Sequence, residues 1–125
     1  MWLAIKIYIK VKRNAVEITN LETGETAQRT ALNPFSSTRH VVSNFRYTEE
    51  TIKAVLQDLN LTKKFFKRSF KVLIQQMEET EGGLSDIEIR ALRDLAEQIG
   101  GVKVYVIDND IPLSKEAAID YLRQH

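Results

Sequence analysis

The chain contains no cysteine, which rules out disulfides, thiolate nucleophiles and cysteine-ligated zinc and fits a reducing compartment. Only two histidines occur, His40 and His125, too few for a histidine-based metal site. There is no excess of one charge either. Eighteen basic residues stand against seventeen acidic ones, so no global field draws the chain to nucleic acid or to an anionic membrane, and such a partner would need a local patch. No apolar run is long enough to span a bilayer. The opening MWLAIKIYIKV is interrupted by Lys6 and Lys10 and lacks a small-residue cleavage site, so it reads as a strand and not as a signal peptide. The expectation from these absences is a single cytoplasmic domain of 125 residues with no metal, no cofactor and no membrane insertion.

What is present is strong periodicity. From Ile5 to Lys12 the apolar Ile5, Ile7, Ile9 and Val11 alternate with Lys6, Tyr8, Lys10 and Lys12, the pattern of a strand with one buried face. A turn at Arg13-Asn14 leads to a second strand through Val16, Ile18 and Thr19, and Glu22-Thr23-Gly24 leads to a weaker third, Thr26 to Ala31. Asn33 to Ser37 is loop chemistry, and Val41-Val42 is expected to be a short extended lead-in to a helix. Thr48, followed by Glu49 and Glu50, is expected to cap that helix, with Ile52, Val55, Leu56 and Leu59 at helical spacing. The run Phe70 to Met77 is short, apolar and β-rich, hence a strand. Ser85-Asp86-Ile87-Glu88 is a capping box, and the helix it starts is expected to turn Leu84, Ile87, Ala91, Leu95 and Ile99 inward before Gly100-Gly101 stops it. Val102 to Ile107 is a further strand. Ser114 caps a terminal helix with an expected inner stripe of Ala117, Ala118, Tyr121 and Leu122.

The order strand, strand, strand, helix, strand, helix, strand, helix implies an α/β domain with a mixed five-stranded sheet. An antiparallel meander lies on one side, parallel strands on the other, and helices pack on the sheet. This order resembles the ribonuclease H-like nucleases and the first half of the actin-like ATPases. A nuclease of that kind uses clustered carboxylates, one of them on the first strand, to hold two divalent ions. The first strand here offers none, and Glu17, Asp58, Glu78 and Glu79 read as solvated surface charge. An actin-like ATPase ends its first strand in an Asp-x-Gly turn that orients magnesium and cradles phosphate. Lys10 and Lys12 stand at those positions, so the resemblance implies a domain without ATPase activity and without an enzymatic role.

Within the actin-like group, VVSNFRYTEETIKAVL, KVLIQQ and SDIEIRALRDLAEQIGGVKVYVIDND are similar to the rod-shape actin MreB from about Val41 onward. Nearly the whole chain resembles the YjaA-type family of small bacterial stress-response proteins. The residues that carry this are Tyr8-Ile9, Arg13-Asn14, Leu21-Glu22, Phe35-Ser36, Arg39, Asn44-Phe45, Glu81 to Ser85 and Glu88. The resemblance implies a non-catalytic protein linked to oxidative and acid stress or to cell shape, whose partner is another protein, an actin-like filament included.

Two stretches are candidate partner-binding sites. Lys63, Lys64, Lys67, Arg68 and Lys71, interleaved with Phe65, Phe66 and Phe70, suit a phosphate backbone with a base stacked on an exposed ring, or an acidic protein surface. The plain alternative is a surface connection whose aromatics turn inward while its lysines stay in water. Arg39 and Asn44 flank a polar loop of the kind that carries binding on a rigid scaffold, although Asn44 could equally bond local backbone. Lys6, Lys10 and Lys12 share one strand face, read as a solvated side of the sheet or a seat for an acidic partner. The third strand, Thr26 to Ala31, is an edge that leaves room for a homodimer.

Overall fold

Alternation of branched apolar residues with polar ones makes the first half of the chain a hairpin ladder, and the rest of the sheet is added by crossovers. The computed structural model describes residues 4–62, 68–78 and 82–125. Its elements are β1 (Ile5–Lys12), β2 (Ala15–Asn20), β3 (Thr26–Thr30), α1 (Phe45–Asp58), β4 (Phe70–Gln76), α2 (Asp86–Gln98), β5 (Gly101–Ile107) and α3 (Lys115–Gln124). The strands form one sheet in the order β3-β2-β1-β4-β5. β2 runs antiparallel to β1 and β3, whereas β4 and β5 run parallel to β1. The mixed five-stranded sheet expected from the sequence is therefore present.

The two faces of the sheet differ in chemistry. On one, Ile7, Ile9 and Val11 of β1 join Val16, Ile18, Val72 and Ile74 beneath Ile52, Val55 and Leu56 of α1 and Leu92, Leu95 and Ala96 of α2. Burying each such side chain contributes about 1.5–3 kcal/mol, so this layer is the main source of stability. On the other face a smaller cluster of Tyr8, Leu21, Leu73, Ile107, Ala118 and Leu122 lies under α3. Tyr8, expected on a solvated face, is buried there.

Other expectations are corrected. Helix α1 begins at Phe45, capped by Asn44, whose extended backbone lets its Oδ1 accept from Tyr47 N at 2.9 Å. Thr48 instead sits inside the helix, buried, with its hydroxyl bonded back to Asn44 O at 2.8 Å. Val41 and Val42 form no strand; Val41 folds into the core from a bend. Ile87 is 82% exposed, because the buried stripe of α2 runs through Leu92, Leu95, Ala96 and Ile99. Five residues before Leu92, Ile87 points about 140° away from it. Ala117 likewise faces out, one residue off the Ala118–Leu122 stripe. The stop after α2 is as expected and has a steric cause. Gly100 has φ +113 and lies where a Cβ would meet Arg68 O at 2.8 Å, and a Cβ on Gly101 would meet Ala96 O at 2.6 Å.

Candidate functional site

The Arg13-Asn14 turn anchors one corner of the site. Asn14 adopts φ 53, a left-handed conformation that asparagine tolerates. In that pose its Oδ1 accepts from Phe35 N at 2.9 Å and from Ser36 N at 2.7 Å, while its own N–H donates to Ser36 Oγ at 2.9 Å. Arg13 adds a guanidinium bond to Ser37 O and a main-chain bond to Glu78 Oε1 at 3.2 Å. The loop after β3 is thus clamped to the hairpin, with Phe35 and Val41 buried as its anchors. Within it the Ser37 hydroxyl accepts from Arg39 N at 3.3 Å and His40 N at 3.0 Å, a turn that leaves both side chains exposed.

The ends of β4 and β5 supply the second corner. β4 closes on two consecutive glutamines, and because strand residues alternate they serve opposite faces. Gln75 accepts the Tyr8 hydroxyl on Oε1 and donates through Nε2 to Asn109 O and Ile111 O, both at 2.8 Å. Tyr8 Oη in turn accepts from Leu113 N at 3.1 Å. Burial pushes the Tyr8 phenol up and the Leu113 bond offsets part of that, so the group stays a donor. This network fixes the 108–113 loop over the sheet end.

Gln76 faces the α1/α2 side, is 3% exposed, and has a buried Nε2 without an acceptor among the described residues. It lines two clefts. One of about 230 Å³ is bordered by Glu78, Gly83, Leu84, Asp108, Asn109 and Asp110. The other, about 220 Å³, is bordered by His40, Val42, Ser85, Ile87, Glu88 and Ala91. The capping box holds the second rim: Glu88 N donates to Ser85 Oγ at 3.2 Å and Ser85 N to Glu88 Oε1 at 3.1 Å. Both groups are engaged as caps, not as nucleophile and base. Of the five large apolar side chains exposed among the described residues, Ile87 borders the second cleft.

The residues singled out from sequence fall in different places. Arg39 stands on the exposed loop of this site, and no ion pair to it occurs among the described residues. Asn44 acts as the cap of α1. Arg68 lies at the opposite end, with Lys53, Phe70 and Glu97 beside a depression of about 550 Å³. Lys63, Lys64 and Lys67, with Phe65 and Phe66, lie outside the described residues, as does Glu79.

Lys10 and Lys12 hold Glu17 across the hairpin, at 3.5 and 3.1 Å, and Lys12 also reaches Gln28. Burial pushes the Glu17 carboxyl up, and the Lys12 hydrogen bond with the two ammonium charges more than reverses this, holding it below the usual range. Asp58 is likewise held low, first by the Arg29 hydrogen bond. Glu17 faces the α3 side, paired opposite Lys10, whereas Arg29 and its partner Asp58 lie with the α1 side, so the acids do not converge. Among the described residues no group of three or more acids or histidines is placed to hold a metal ion. No described helix is long and apolar enough to cross a membrane.

Sequence reasoning missed Gln75, Gln76 and the double role of Asn14. Two adjacent amides closing an otherwise apolar strand were a visible signal, since a buried polar pair needs partners.

No protein-family model and no solved structure matches the chain. An uncharacterized Escherichia coli (strain K12) protein, YjaA, is 25% identical over 93 residues, 71% of this chain and 72% of that protein. The similarity supports the resemblance to the YjaA-type family, and nothing in the comparisons supports the one to MreB.

Proposed function

We propose that this protein is a non-catalytic binding domain of the YjaA type, with a ribonuclease H-like arrangement equivalent to half of an actin-like ATPase. It takes a partner protein at the C-terminal edge of its parallel strands. The observation that carries the reading is the pair of clefts that Gln76 lines at this edge, one of them bordered by the exposed Ile87. Concave sites that combine apolar walls with a few convergent polar groups are where a partner is held. Binding sites in open α/β sheets gather outside the carboxyl ends of the strands, and that is this edge. The neighbouring turn argues against phosphate chemistry. Lys10 and Lys12 neutralise Glu17 there, and the φ 53 position is filled by Asn14, with its side chain spent on the loop. The role this supports is an adaptor in stress tolerance or cell shape, with an actin-like filament as the first partner to try.

The test is co-sedimentation of purified protein with bacterial actin-like filaments, beside capture from the host at rest and under peroxide. Saturable binding that Ile87→Glu and Arg39→Glu each weaken, with unchanged melting temperature, is the expected result. Binding untouched by either change would move the interface elsewhere. Magnesium-dependent ATP hydrolysis lost in Lys10→Ala would refute the non-catalytic role.

A further inference from the structure

The sheet brings three lysines abreast that the sequence keeps far apart. Lys6 of β1 pairs with Lys71 of β4, and Lys71 pairs with Lys103 of β5, so all three stand on the α3 face at one level of the sheet. Neighbouring strands lie about 4.8 Å apart, which makes the row about 10 Å long. Like charges directly opposite one another are destabilising. Yet no ion pair to any of the three occurs among the described residues. Glu22, the nearest acid by contact, accepts from the main-chain N–H of Lys6 at 3.1 Å. Among the described residues the one side-chain partner is a carbonyl: Lys71 Nζ donates to Leu122 O at 2.6 Å, at the end of α3, where a cation also meets the negative end of the helix dipole. Burial, then the Lys103 and Lys6 charges, push the Lys71 ammonium below its ordinary pKa.

Aromatic rings stand beside this row. Tyr121 and His125 stack at 4.2 Å with planes 10° apart, and Tyr105, two residues along β5 from Lys103 on the same face, meets Tyr121 edge-on at 6.0 Å. Ammonium groups in line with an open stack of rings make a surface that follows phosphates and extends a stack of bases. A duplex keeps its base faces covered; a single strand offers them. An acidic peptide would satisfy the lysines and leave the rings unused.

The geometry points to this face as a binding surface for single-stranded nucleic acid, in which Lys6, Lys71 and Lys103 follow the backbone and the Tyr121–His125 stack receives a base. The surface is separate from the protein-binding edge and survives or fails independently of it. With a formal net charge of +1 on the whole chain, attraction comes from local rows such as this one and not from a global field, and binding is strongly salt-dependent.

The test is fluorescence anisotropy of a labelled oligothymidylate against the full chain over a salt series, with polyglutamate as a second probe. Lys6→Glu and Lys103→Glu are each expected to weaken oligothymidylate binding several-fold and to reduce the salt slope by about one. His125→Ala is expected to weaken it with the slope unchanged. Both reversals relieve like-charge contact, so the fold should melt no lower than the parent, checked by circular dichroism. Absence of saturable binding at low salt overturns the proposal. So does polyglutamate binding as tightly as the oligonucleotide, with His125→Ala without effect on either.

Discussion

The Tyr8 hydroxyl and the Gln75 amide are bonded across β1 and β4, and through them the middle of the sheet holds the loop that forms one wall of the candidate site. Every polar atom cited in this network has a partner, so it specifies one loop conformation. The chain sequence thereby reaches the site edge indirectly. A tyrosine and a glutamine in the core determine where Asp108, Asn109 and Asp110 sit.

Removing the hydroxyl tests this. Tyr8→Phe orphans Gln75 Oε1 and Leu113 N at a cost of about 1–3 kcal/mol. Gln75→Leu frees two carbonyls and the hydroxyl and is expected to cost more. Urea denaturation gives the order, and amide exchange in 109–113 should accelerate in both variants. Equal protection in parent and variants would show that the loop is held by other contacts.

Asn14 combines two roles that separate substitutions can divide. Asn14→Gly keeps access to φ 53 but loses the bonds to Phe35 N and Ser36 N, whereas Asn14→Ala loses both. Glycine should therefore lower the unfolding free energy by about 1–3 kcal/mol. Alanine should lower it further, by about 1 kcal/mol of backbone strain. Equal losses in thermal melts would assign everything to the side-chain bonds.

The order of the elements and the alternation of β1 were readable from the chain because local periodicity alone specifies them. The exposure of Ile87 was not. Helical spacing admits it to the stripe, and only the end of β4 at Gln76 decides where packing begins. Asn44 and Thr48 are both good caps by type, and the choice between them came from Phe35, whose carbonyl takes the Asn44 N–H at 2.9 Å. The lysine row could not be seen at all, since Lys6, Lys71 and Lys103 meet only through strand register. Arg39, singled out from loop chemistry, stands exposed on the loop after β3.

The Glu17 carboxylate gives a pH dependence with a defined sign. Its folded pKa lies below its ordinary 4.5, so the stabilisation is present above that value and is lost as pH falls through the lower, folded pKa. Glu17→Gln is expected to show a smaller loss of melting temperature between neutral pH and the acid side of 4.5 than the parent. Because water still reaches these half-buried contacts, the neutral-pH effect should be about 0.2–1 kcal/mol. Parallel pH profiles for the two proteins would show that the Lys10 and Lys12 contacts do not persist in solution.

Gln76 inverts the usual outcome of a core substitution. Its Nε2 is buried with no acceptor among the described residues, a cost of about 1–3 kcal/mol to the folded protein. Gln76→Met has nearly the same shape and removes the orphan donor, so it is expected to raise the denaturation midpoint. The same change should weaken whatever partner supplies an acceptor at the clefts, setting stability against binding at one atom. Destabilisation by Gln76→Met, with partner affinity intact, would show that the amide is satisfied in the free protein and acts only in packing.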